Sequence, residues 1–162
     1  MTREMEFYYA VKENDSDRLR ALAREHPDLC RTVKPYDQGL LLHAAFNGQA
    51  AIAEYLIGQG CDVNEKDGKG YTPLLGAVEY DQLDVARILL DHGAKVDAKD
   101  NFGNTPLLNA VFHSKGKTGM VRQLLSYGAN PMEKNDSGIS PLAFAEKTGQ
   151  QELIDLLKHT KP

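Results

Sequence analysis

The chain has 162 residues, 41% of them apolar and 26% charged, a composition that excludes a disordered segment and suits one soluble domain with its own core. Its formal charge of −4 argues against a nucleic-acid binder, whose basic residues gather on one face. No stretch approaches the ~20 apolar residues of a membrane span, and Cys30 and Cys61 lack metal-ligand spacing, so a reducing cytoplasm is expected.

In chain order, the opening "MTREMEFYYA" is charged from its third residue and carries no apolar leader-like run. Residues 7–29, "FYYAVKENDSDRLRALAREHPDL", predict a pair of helices with Ala10, Val11, Leu19 and Leu22 turned inward and charged positions left for solvent. A second unit begins at 39–41, "GLL", with neither a capping hydroxyl nor a proline, so its first helix is expected to be the less well capped. Losing such a cap costs about 1 kcal/mol.

The third, fourth and fifth units begin Thr72-Pro73, Thr105-Pro106 and Ser140-Pro141. Each pair puts a hydroxyl at the N-cap, where it accepts an orphan backbone N–H. The proline that follows sits at the first helical position, where its missing N–H costs nothing. After a polar turn comes a second helix, "LDVARILL", "GMVRQLL" or "ELIDLL", with apolar residues at helical spacing. Gly93 and Gly128 are suited to end it in the left-handed conformation. Between units, "DGKGYT", "DNFGNT" and "NDSGIS" set an Asp or Asn three residues before a Gly, a pattern for a tight hairpin turn.

The units share one frame. Ala44, Ala77 and Ala110 are 33 apart and Ala145 follows after 35, as does Gly128 after Gly60 and Gly93. A fixed period of this length is the mark of a stacked repeat, in which no unit buries its apolar face alone. The units fall at 1–36, 37–69, 70–102, 103–137 and 138–162, with capping character at both ends. In the last, Lys158 stands where the third unit has Leu90.

With its Thr-Pro-Leu starts, its Gly-Ala pairs before the hairpins (Gly93-Ala94, Gly128-Ala129) and its D-x-x-G turns, the pattern resembles the ankyrin repeat over nearly the whole chain. The resemblance implies an all-α solenoid of about five stacked helix pairs joined by β-hairpin-like loops. It also implies a protein-binding role without catalysis, cofactor or metal.

"HSKGKTG" at 113–119 ends like a phosphate-binding loop. That loop needs a glycine where this chain has Val111, a buried strand before it and a long helix after it. The segment is better read as a lengthened, basic turn between paired helices, with Ser114 at the turn position of Gly48 and Asp81. A nucleotide-dependent switch at this loop is the weaker alternative. The five histidines fall in five different units, no G-x-S-x-G turn is present, and no enzyme is expected. His92, beside Gly93, is read as a contact to a helix C-terminus rather than a ligand.

In a stack of the resembled kind, hairpin tips and the free side of each first helix line one concave face. In register, the tips carry Tyr36, Lys69, Phe102 and Ser137 at one position and Gln38, Tyr71, Asn104 and Ile139 at another. The first helices add Phe46, Glu79 and Phe112, then Asn47, Tyr80 and His113. Tyr36, Phe46, Tyr71, Tyr80, Phe102 and Phe112 are six of the twelve Phe and Tyr residues, an aromatic density expected of a binding hot spot if they face outward. Lys69, Glu79, Asn104, His113 and Ile139 complete the candidate partner-binding set. Residues 51–100 carry a net charge of −5, so a partner protein with a basic patch would favour the middle units of a monomeric array. An adaptor, an inhibitor or a bacterial antidote that neutralises a toxin would all fit this reading.

Overall fold

Hydroxyl–proline pairs start helices where the sequence places them. In the computed structural model, which describes residues 2–34 and 38–159, α6 (Pro73–Glu79), α8 (Pro106–His113) and α10 (Pro141–Thr148) each begin at the proline. The caps Thr72, Thr105 and Ser140 accept from the backbone N–H three residues on, all at 3.2 Å. The partner helices are α7 (Leu83–Asp91), α9 (Gly119–Ser126) and α11 (Gln151–His159). Upstream lie α1 (Arg3–Lys12), α2 (Ser16–Glu25), the single turn α3 (Leu29–Thr32), α4 (Leu40–Phe46) and α5 (Ala50–Gly58). As the sequence predicts, α4 starts on Gly39 without a side-chain cap. Among the described residues there is no β-strand.

Among the described residues the helices form five pairs, with α3 between the first and second. Three-residue turns join α1 to α2, α4 to α5 and α6 to α7, and each turns on one left-handed residue: Asn14, Gly48 or Asp81. Gly149 does the same between α10 and α11. Successive pairs stack through one continuous core that runs from Phe7 to Leu157. Ala44, Ala77, Ala110 and Ala145 are buried where first helices meet, and their small side chains permit the close approach. Leu74, Leu89, Leu107 and Leu124 are fully buried between neighbours. Each such burial stabilises by about 1.5–3 kcal/mol and requires an adjacent unit.

First helices pack more densely on one another than second helices do. The hairpins and the closely packed first helices lie along one side of the stack.

The hairpins stack as well, through backbone rather than side-chain bulk. Asp67, Asp100 and Asn135 each fold their own turn by accepting two backbone N–H groups, two and four residues on. The Asn101 N–H donates to the Lys69 carbonyl at 3.2 Å, and the Asp136 N–H to the Phe102 carbonyl at 3.1 Å. This approach explains Gly70 and Gly103. Both have left-handed φ, and a β-carbon at either would come within 2.8 Å of the backbone nitrogen of the next hairpin. Gly138, in the last hairpin, has open space at that position.

Candidate functional site

Two adjoining pockets lie where the hairpins meet the first helices. The first, of about 360 Å³, is lined by Gln38, Phe46, Asp67, Lys69, Tyr71, Glu79, Tyr80 and Phe102. The second, of about 240 Å³, is lined by Asn104, Leu108, Asn109, Phe112, His113, Asn135, Ile139 and Phe144. Ten of the eleven residues expected at a partner site therefore gather in these two places. Tyr36 lies outside the described residues.

The aromatic residues divide. Tyr80, Phe102 and Phe112 are 58%, 69% and 61% exposed, far beyond what a side chain of this size shows when it packs in a core. Phe46 and Tyr71 are half-buried. Phe46 stacks on Tyr71 with centroids 6.2 Å apart and meets Tyr80 edge-on at 5.5 Å. The six rings make a hot spot only if they face outward; of the five described, Tyr80, Phe102 and Phe112 are exposed, while Phe46 and Tyr71 line a pocket half-buried. The physical reason is Gly76, one turn into α6. A β-carbon there would come within 3.3 Å of the Phe46 ring, so the missing side chain is what lets that ring lie against the next unit.

The electrostatics of the two pockets differ. In the first, the Tyr71 hydroxyl faces the Glu79 carboxylate; burial, and then that carboxylate, hold the phenol well above its ordinary pKa. Asp67 and Glu79 both line this pocket, and neither forms an ion pair among the described residues. Among the described residues Lys69 is its one lysine or arginine, exposed at the hairpin tip. The second pocket has no carboxylate. Phe112 packs against Phe144 at 5.3 Å and against His113 edge-on at 5.0 Å, with Ile139 beside them.

Not every register position is free to bind. Asn104 donates from Nδ2 to Asp100 Oδ2 at 3.0 Å and accepts from Asn135 Nδ2 at 2.8 Å, so its amide ties two hairpins together. Phe144 and Asn109 line the second pocket yet were not expected there. They occupy the position just before the frame alanine, shared with His43 and Gly76, and the register alone could have exposed it.

The 113–119 segment is a brace. α8 runs one residue further than α6, Ser114 caps it in right-handed conformation, and the left-handed residues are Lys115 and Gly116. The turn position thus moves one residue past the one the frame suggests. Ser114 is buried and donates to Gln150 Oε1 at 2.8 Å, while Lys117 Nζ pairs with Asp81 Oδ2 at 3.1 Å. Elsewhere a glutamine makes the backward contact: Gln49 Nε2 donates to the Val11 carbonyl at 2.6 Å and Gln82 Nε2 to the Phe46 carbonyl at 3.4 Å. His92 Nδ1 meets the Ile88 carbonyl at 2.8 Å, a contact to the end of α7. Among the described residues no cluster of three His, Cys, Asp or Glu side chains could hold a metal ion, and no helix is long and apolar enough to cross a membrane.

A sequence-family profile described as ankyrin repeats, in three copies, matches residues 7–100, and a single-repeat profile matches 102–136. The chain belongs to the ankyrin repeat family. The profile matches end before α10 and α11, so the fifth helix pair continues the ankyrin stack beyond the matched residues. No curated protein matches the sequence. Ankyrin repeats generally mediate protein–protein interaction and are typically non-enzymatic.

Proposed function

We propose that the chain is a non-catalytic recognition module that grips a partner protein in its concave groove and acts as an adaptor, an inhibitor or a sequestering subunit. One observation carries this reading: Tyr80, Phe102 and Phe112 stand exposed beside two aromatic-floored pockets. More than half of each ring is open to solvent, and exposed rings of this kind supply much of the binding energy where two proteins meet. The groove set is Phe46, Lys69, Tyr71, Glu79, Tyr80 and Phe102 in the first pocket, with Phe112, His113, Ile139 and the bridging Asn104 in the second. The same reading makes the chain a cytoplasmic monomer with capping units at 1–36 and 138–162.

The experiment is capture of the native partner by tagged chain, with wild type set against Tyr80→Ala/Phe112→Ala. Both side chains are exposed, so the variant is expected to keep its circular dichroism and melting point while losing the partner. Unchanged capture by the folded variant would refute the groove as the binding face. A back-face control, Leu83→Ala, should bind as wild type does.

A further inference from the structure

We infer that the first pocket takes an arginine side chain presented by the partner protein; this rests on the reading of the groove as the binding face. Four rings, those of Phe46, Tyr71, Tyr80 and Phe102, and two carboxylates, those of Asp67 and Glu79, line one cleft of about 360 Å³. Phe46 is fixed between a stacked neighbour and an edge-on one, so the floor is preformed rather than assembled on binding.

The carboxylates decide what can enter. Asp67 uses Oδ1 on the N–H groups of its own turn, and it lines the cleft with no ion-pair partner among the described residues. Glu79 meets the Tyr71 hydroxyl and has no ion-pair partner among the described residues. An apolar side chain seated here would strip water from two carboxylates and return nothing. An anion would be repelled, because Lys69 offsets only one of the two charges. A cation gains both the carboxylates and the negative faces of the rings. Guanidinium suits the site better than ammonium: it is planar, weakly hydrated, stacks flat on aromatic rings and still donates sideways to a carboxylate. The neighbouring pocket has similar rings and no carboxylate, and so provides an internal control.

The test is an NMR titration of the isotope-labelled full chain with Ac-Gly-Arg-Gly-NH2, its neutral citrulline counterpart and Ac-Gly-Lys-Gly-NH2. The arginine peptide is expected to shift the signals of Tyr71, Tyr80 and Phe102 saturably. Citrulline should bind about fivefold or more weakly, and lysine more weakly than arginine. Glu79→Gln should erase the preference for arginine over citrulline. Phe102→Ala, which removes a solvent-exposed ring and leaves the core untouched, should lower arginine affinity severalfold.

Equal binding of citrulline, lysine binding at least as tight as arginine, or equal shifts at Phe112 and Ile139 would each overturn the assignment. If the arginine preference is absent while capture of the native partner still depends on Tyr80 and Phe112, the groove reading stands and only this inference fails. If capture ignores those two residues, the groove reading fails and this inference falls with it.

Discussion

Cys30 and Cys61 show how burial decides the chemistry of single residues. The Cys61 thiol donates to the Cys30 carbonyl at 3.0 Å, and burial pushes its pKa up to about 12. Burial raises Cys30 as well. Because the thiolate is the nucleophile, both should resist iodoacetamide at pH 8 in the folded protein and react at ordinary rates once unfolded. Fast labelling of the native state would contradict this. His43 moves the other way. Burial, and then the Lys12 ammonium, lower its pKa, and its ring sits edge-on to Tyr8. The folded state therefore binds its proton less well than the unfolded chain does. Its effect on stability is nil above the ordinary histidine range and becomes a loss as pH falls from about 6.5 through the lowered folded value. Urea titrations between pH 7.5 and 5 should show wild type losing more stability than His43→Phe; equal losses would remove His43 from the account. What the sequence made legible at this scale was local chemistry, such as the Thr72 and Thr105 caps, which need only their own helix. Half-burial of Phe46 was not legible, because it depends on an absent side chain at Gly76, in the next unit.

At the scale of elements, the hairpins distinguish two roles for one residue type. Gly103→Ala meets both the left-handed backbone and the nitrogen of Asp136, whereas Gly138→Ala meets the backbone cost alone. The first substitution should destabilise by about 2–3 kcal/mol and the second by about 1 kcal/mol in denaturant titrations. Equal effects would mean that hairpin stacking contributes nothing. The lengthened turn after α8 makes a contrasting case. Lys117 pairs with Asp81 at the surface, where such pairs contribute little, so Lys117→Ala should change stability by less than about 1 kcal/mol. Calorimetry of wild type with ATP and GTP should show no binding heat; a saturable isotherm abolished by Lys117→Ala would revive the nucleotide reading. The period break from 33 to 35 showed in the sequence that something was inserted. The sequence did not show that Ser114 would end up buried against Gln150, because that contact belongs to the next unit.

For the whole molecule, close packing and the groove have one cause. Small residues on first helices let the inner layer close up, and the groove opens where hairpins and inner helices meet. The frame fixed by capping and burial left a few positions free, and ten of the eleven residues proposed from that register for a partner site line two adjoining pockets. Phe144 shares its register position with His43, Gly76 and Asn109, so the variation at that position is the signal in the sequence that marks it as free. The most direct measurement is a backbone NMR map of the labelled chain with its captured partner. The account predicts shifts concentrated at 67–71, 100–104 and the C-terminal ends of α6 and α8, with α7, α9 and α11 unmoved. Shifts gathered on those outer helices, with the hairpin tips silent, would contradict it.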